Sequence, residues 1–220
     1  MIDFSHVYKT YPGSVHALKN IDLHIEKGEF VFLTGPSGAG KTTLFKMISA
    51  YDIATSGEVR VAGYDLQELK NSQVPQFRRK IGVVYQDFKL LKDRTLFENI
   101  ALPLIVRGDR QSQIQKKVYD VLEEVGLLEK ADQYPEFISG GEQQRTAIAR
   151  AIIHQPGVLI ADEPTGNLDP LLSEEIMDLL ERVCIQGTTV FVATHDHEMV
   201  HRRRKRTVCL EQGRIVGDTK

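Results

Sequence analysis

The sequence predicts an α/β fold in which a strand-rich body is interrupted by a helical lobe, and three observations carry that expectation. Residues 1–66 alternate apolar and polar side chains between turn signals, residues 88–156 approximately turn to helical spacing, and strand patterns return afterwards. Four short apolar segments, FVFLTG, IGVVYQ, VLIADE and VFVATH, end in residues able to do chemistry: Gly35, Gln86, Asp162 with Glu163, and His195. Continuous apolar runs suit strands buried on both faces of a parallel sheet. Ligands of such sheets sit beyond the carboxyl ends of the strands, so one site assembled from four strand ends is expected.

Taken in chain order, IDFSHVYKTY, ALKNIDLHIEKGEFVFLTG and GEVRVAGYDL read as strands. SQIQKKVYDVLEEVGLL reads as an amphipathic helix, with Ile114, Val118, Val121, Leu122 and Val125 on one face. ISGGEQQRTAIARAII reads as a helix opened by a capping box, Ser139 followed three residues on by Glu142. The segments GVLIADE and TTVFVATHD read as returning strands. There is no internal repeat and no Pro/Gly/Ser-rich linker, so residues 1–220 are expected to form a single domain containing the helical lobe at 88–156.

Composition excludes several classes. Hydrophobic residues make up 41% and charged residues 26%, the balance of a globular protein, and a net charge of -2 gives no global basic field. No nucleic-acid partner is expected. Cys184 and Cys209 lack CxxC spacing, which supports neither a disulfide framework nor a cysteine zinc site and fits a reducing cytoplasm. The start MIDFSHVYKTY has no signal-peptide pattern, and the apolar runs fall short of the ~20 residues a membrane span needs. Contact with a membrane is therefore expected through another chain.

The segment GPSGAGKT satisfies the phosphate-loop pattern G-x-x-x-x-G-K-[ST]. With glycine near 7% of average usage, a chance match in a chain of this length is roughly one in a hundred. An apolar strand precedes it and a helical segment follows, the order the mechanism requires. Gly35, Gly38 and Gly40 let successive N–H groups curl around phosphate oxygens, with Pro36, Ser37, Ala39 and Thr43 completing the cradle. Lys41 is expected to reach the β- and γ-phosphates and Thr42 to ligate Mg²⁺. Asp162, at a strand end, would hold the metal's water shell, and Glu163 would take a proton from an attacking water. Gly140 and Gly141 are poor helix formers placed just inside a helix start, which suits a backbone that an anion must approach.

In this order, GPSGAGKT, Gln86, ISGGEQQR, LIADEPTGNLD and VATHD resemble the nucleotide-binding cassette of ABC ATPases over essentially the whole chain. The resemblance implies a P-loop NTPase of the ABC type, with a mixed central sheet, an N-terminal antiparallel β part and an inserted α-helical lobe. It implies ATP and Mg²⁺ as cofactors, and a second copy of the chain as partner, in a head-to-tail dimer. In that dimer the signature residues Ser139, Gly140, Gly141 and Glu142 face the γ-phosphate held by the other chain's loop. By the same resemblance Gln86 senses metal and attacking water, Thr42 and Asp162 support Mg²⁺, Glu163 is the general base, His195 contacts the γ-phosphate and Asp169 couples the halves. Tyr11, with Tyr8 as the alternative, stacks on adenine. Glu142 stands where the family most often has glutamine and adds negative charge near a triphosphate.

Within the family, VPQFRRKIGVVYQDFKLLKDRTLFENIALPL together with SGGEQQR resembles the cell-division ATPases. Their partner is an integral membrane subunit, which implies a peripheral location on the cytoplasmic face of the bacterial inner membrane and a signal passed to cell-wall hydrolysis. The KDRT segment separates this reading from the alternative, the ATPase of a lipoprotein or macrolide exporter, whereas DEPTGNLD is shared with it. Residues 87–99 would line the groove receiving the membrane subunit. Soluble ABC ATPases of DNA repair or translation carry coiled coils or two cassettes, which this chain lacks; a nucleotide-gated clamp is the third alternative. His195, Asp196, His197 and His201 lie close together but complete no metal shell, and the run at 202–206 reads as a solvated basic surface.

Overall fold

The computed structural model describes residues 1–219. Strands β1 (Ile2–Tyr11), β2 (Val15–Ile25) and β3 (Phe30–Thr34) lead into helix α1 (Lys41–Ile48). Strands β4 (Ser56–Val61) and β5 (Tyr64–Asp65) follow, then the short α2 (Val74–Arg78) and β6 (Ile81–Val84). The helical lobe holds α3 (Leu96–Arg107), α4 (Gln111–Glu124) and α5 (Gly140–Ile152). The chain then returns through β7 (Val158–Asp162), α6 (Pro170–Ile185), β8 (Thr189–Ala193), α7 (His197–Arg203), β9 (Arg206–Glu211) and β10 (Arg214–Thr219).

The strands form two sheets. An antiparallel sheet runs β2-β1-β4-β5, and a six-stranded sheet runs β10-β9-β3-β8-β7-β6. In the second, β9, β3, β8, β7 and β6 are parallel and only β10 is antiparallel, which makes it the mixed sheet expected. The apolar runs have a simple cause. Phe30 and Phe32 of β3, Leu159 and Ala161 of β7, and Val190 and Val192 of β8 enter the core shared with the helical lobe and α6. Val31 and Leu33, Val158 and Ile160, and Phe191 and Ala193 enter the core shared with α1 and the antiparallel sheet. Both faces are covered, so alternation disappears.

Local chemistry sets the helix starts. Thr95 and Glu98 form a capping box at α3, and Ser139 and Glu142 form one at α5. Asp169 caps α6 by accepting from Leu171 and Leu172 N–H, with Pro170 at the first helical position. The buried Asn99 amide accepts from Leu91 N–H and donates to the carbonyls of Leu91, Arg94 and Thr95, which folds the KDRT segment onto α3.

The basic run is only partly a solvated surface: Arg202 and Arg204 are exposed, while Arg203 and Arg206 are largely covered. Arg202 pairs with Glu174 and Glu198, Arg203 with Glu174, Asp178 and Glu181, Lys205 with Glu181, and Arg206 with Glu29 and Asp218. The reason is that α7 lies along the acidic side of α6, and the next strand turns Arg206 toward Glu29. Among the described residues no group of three His, Cys, Asp or Glu side chains could hold a metal, and no helix is long and apolar enough to cross a membrane.

Candidate functional site

The parallel strands deliver their ends to one edge of the sheet. Gly35 leaves β3 at φ 145, where a Cβ would stand 2.0 Å from the Leu210 carbonyl oxygen, so only glycine passes beneath β9. Gly40, at φ 111, would place a Cβ 2.8 Å from the Ala17 carbonyl oxygen. Between them the loop curls, and α1 starts at Lys41. The Lys41 Nζ donates to the carbonyls of Gly35 at 2.6 Å and Pro36 at 3.3 Å, which holds the ammonium at the loop's mouth.

Thr42 Oγ1 donates to Asp162 Oδ2 at 3.5 Å, joining the start of α1 to the end of β7. Burial pushes the Asp162 carboxyl above its ordinary pKa, the adjacent Glu163 adds to this, and Lys41 and Thr42 oppose it. Glu163 adopts the left-handed conformation at φ 48, with its N–H donating to Ala193 O at 2.9 Å. Its Oε2 accepts from His195 N–H at 3.3 Å and lies 2.8 Å from His195 Nδ1. Gln86 follows β6, and its carbonyl accepts from Asn167 Nδ2 at 3.2 Å.

These groups share one cavity of about 970 Å³, lined by Tyr11, residues 35–43, Gln86, Asp162, Glu163 and His195. Tyr11 lines it and Tyr8 does not. The Tyr11 hydroxyl donates to Asp52 Oδ2 at 2.7 Å while Lys9 Nζ stands 5.0 Å from its ring centroid; burial, followed by Asp52, pushes the phenol pKa up. Thr42 and Asp162 form a donor set suited to Mg²⁺, which takes one or two carboxylates and fills its remaining positions with phosphate oxygens and water. A cation there would also offset the repulsion that Glu163 exerts on the half-buried Asp162.

Ser139, Gly140, Gly141 and Glu142 stand apart, and none of them lines this cavity. Ser139 Oγ accepts from Glu142 N–H at 3.3 Å, and Glu142 Oε2 accepts from Ser139 N–H at 2.9 Å and Oγ at 3.1 Å. Glu142 Oε1 accepts from Lys130 Nζ at 2.5 Å, and Lys130 above all holds the carboxyl below its ordinary pKa. The two glycines differ. Gly140 is exposed, and a Cβ there would meet Leu168 Cδ2 at 3.7 Å; Gly141 is buried, and a Cβ would meet Leu172 Cδ1 at 3.0 Å. A side chain at 141 would therefore press on Leu172 of its own chain, whereas Gly140 offers open backbone. Asp169 lies outside the cavity as the cap of α6.

Sequence reasoning missed Val15, His16 and Ala17 on β2, Cys209 on β9 and His197 on α7, all of which line the cavity. The hairpin following Tyr11 was the available signal for the first three. Cys209 arrives only through the pairing of β9 with β3, which places it opposite Thr34.

A phosphate loop, a metal-suited hydroxyl and carboxylate pair, and a carboxylate base candidate at the strand ends define a nucleotide-hydrolysing cassette. Residues 18–166 match the ABC transporter family, and the chain belongs to that family. It is 52% identical over 219 residues to the cell division ATP-binding protein FtsE of Mycobacterium tuberculosis, covering 99% of this chain and 95% of that protein. Against the FtsE of Bacillus subtilis the identity is 51%, covering 99% and 96%. The structure of the ATP-binding cassette MJ0796, a dimer in a post-hydrolysis state bound to ADP and Pi, superposes with a TM-score of 0.90 at 38% identity, covering 100% of this chain and 98% of that one.

Proposed function

We propose that this chain is the ATP-binding and ATP-hydrolysing subunit of an FtsEX-type cell-division complex, and that two copies close head to tail on ATP. The observation that carries the dimer is the separation just described: the phosphate loop, Asp162, Glu163 and His195 share a cavity to which Ser139–Glu142 contributes nothing. A signature that does not serve its own cavity is free to serve a second copy's. The dimeric state of the MJ0796 cassette supports the same arrangement.

In this reading the loop N–H groups, the positive end of α1 and the Lys41 ammonium bind and orient the triphosphate. Thr42 Oγ1 and Asp162 would hold Mg²⁺ with Gln86 beside them, and bound Mg²⁺ supplies charge neutralisation of the phosphates. Glu163 Oε2 accepts the proton of the attacking water, and His195, already within hydrogen-bonding distance of that oxygen, orients the carboxylate and reaches the γ-phosphate. Tyr11 stacks on the adenine.

The membrane partner is an FtsX-like integral subunit, which places the chain on the cytoplasmic face of the inner membrane. A groove with Tyr51, Pro75, Leu102, Pro103 and Val106 in its walls and Arg78 and Arg107 among its lining residues is suited to receive a segment of that subunit. Its walls flank residues 87–99 in the sequence; the segment itself does not line it. Purification from native membranes, with identification of the co-purifying subunit, tests the assignment. An FtsX-like protein is expected. An export permease in its place would move the chain to the exporters.

A further inference from the structure

We infer that Lys130 is a positioning residue of the signature: its ammonium neutralises Glu142, so that the start of α5 remains attractive to the γ-phosphate presented by the second copy. The inference rests on the head-to-tail reading above and concerns a residue outside every motif.

The geometry leaves Glu142 little freedom. One carboxylate oxygen, Oε2, is committed to the cap through Ser139 N–H and Oγ, so the charge is fixed at the helix start. The other, Oε1, takes Lys130 Nζ at 2.5 Å, with the carboxylate largely buried and the lysine partly exposed. Lys130 ends a short 3₁₀ turn, Leu128–Lys130, that is itself anchored. The Ala131 carbonyl accepts from Phe97 N–H at 2.9 Å and the Gln133 carbonyl from Leu96 N–H at 2.9 Å, tying the turn to the beginning of α3. The ammonium is therefore brought to Glu142 by the fold.

The electrostatic sum shows why this matters. A helix N-terminus carries the equivalent of about +0.5 charge. A fixed carboxylate in its first turn reverses that sign, and one ammonium restores it. Glutamine at position 142 would form the same cap with no charge to cancel. The Glu142–Lys130 pair and a lone glutamine are thus two solutions to one requirement, and Lys130 should matter only where Glu142 is present.

The test uses ATP-driven dimer formation, measured by sedimentation in a Glu163→Gln background so that hydrolysis does not intervene. Lys130→Met should raise the ATP concentration for half-maximal dimer about tenfold, and more at low salt, while Lys130→Arg stays near the parent. Binding of Mg-ADP, which lacks the γ-phosphate, should stay within about twofold of the parent in Lys130→Met and so report an intact fold. In a Glu142→Gln background the same lysine substitution should have no further effect. Unchanged ATP dependence in Lys130→Met, or an equal penalty with Gln at 142, would overturn the inference. Failure of the Glu163→Gln parent itself to dimerise with ATP would instead overturn the head-to-tail reading, and this inference with it.

Discussion

Replacing Gly140 by alanine should make the folded chain more stable and less active. Gly140 lies in the first turn of α5 without a positive φ, so alanine fits its backbone. The added Cβ would meet only Leu168 Cδ2, at an ordinary 3.7 Å. An exposed glycine in a helix interior costs about 1 kcal/mol relative to alanine, and a first-turn position roughly half that. For a chain of this size about 0.5 kcal/mol corresponds to a rise in Tm of about 1 to 2 °C. The same methyl group would stand on the open backbone where a second copy's γ-phosphate must approach, so ATP-driven dimerisation and turnover should fall at least about tenfold; loss of a preorganised donor costs about 10²-fold or more. Calorimetry and steady-state ATPase assays on one preparation check both halves. Gly141→Ala behaves differently, because its Cβ would press on Leu172 at 3.0 and 3.2 Å. It should destabilise by about 1 kcal/mol, and Leu172→Ala should remove most of that difference. A Gly140→Ala variant with the parent's turnover would refute the assignment of Gly140 to the anion.

Other substitutions separate binding, chemistry and acid stability. Glu163→Gln should retain ATP binding and accumulate a closed dimer with turnover reduced at least about 10²-fold in single-turnover assays, as loss of a general base requires. Lys41→Ala should weaken ATP binding or turnover, and unchanged kinetics would overturn the phosphate-loop reading. Asp162 has a raised carboxyl pKa, so its burial penalises the charged form as pH rises through the folded pKa. Asp162→Asn should therefore raise the Tm of the ligand-free chain at neutral pH while abolishing the further rise produced by Mg-ATP. Asp109 is held at about 2 by its hydrogen bonds with Arg107. Against an unfolded value near 3.9, this contributes stability that is full above about pH 4 and lost as pH falls toward 2. Arg107→Met should flatten that part of the Tm–pH curve.

How much could be read from the sequence depended on how local the cause was. The phosphate-loop pattern from Gly35 to Thr42 is contiguous, and FVFLT and VLIAD are apolar because both their faces are buried, so each announces itself in a few letters. Ser139 and Glu142 were equally legible, because a capping box closes within four residues. Lys130 was not, since twelve residues and a 3₁₀ turn without periodicity separate it from Glu142. The run at 202–206 was legible only in part for a related reason: its charges are contiguous in sequence, while the Glu174, Asp178 and Glu181 carboxylates that pair with Arg202, Arg203 and Lys205 lie on a different helix. The contact that a side chain at 141 would make with Leu172 is likewise invisible until α5 and α6 are brought together.

The backbone around the site is strained, and the strain has definite supports. Phe88, Lys89 and Glu163 all adopt left-handed conformations that cost non-glycine residues on the order of 1–3 kcal/mol each. Glu163 is held by Ala193 O on the neighbouring strand β8, so the base candidate inherits the rigidity of the sheet. Phe88 and Lys89 lack such a strand. Their carbonyls instead accept from the Arg150 guanidinium, each at 2.7 Å, and Arg150 belongs to α5. The helix that begins with Ser139–Glu142 thus also clamps, near its other end, the strained residues that follow Gln86. The Arg150 contacts therefore depend on where α5 sits. One helix thus joins Ser139–Glu142 at its start to the residues that follow Gln86 near its end.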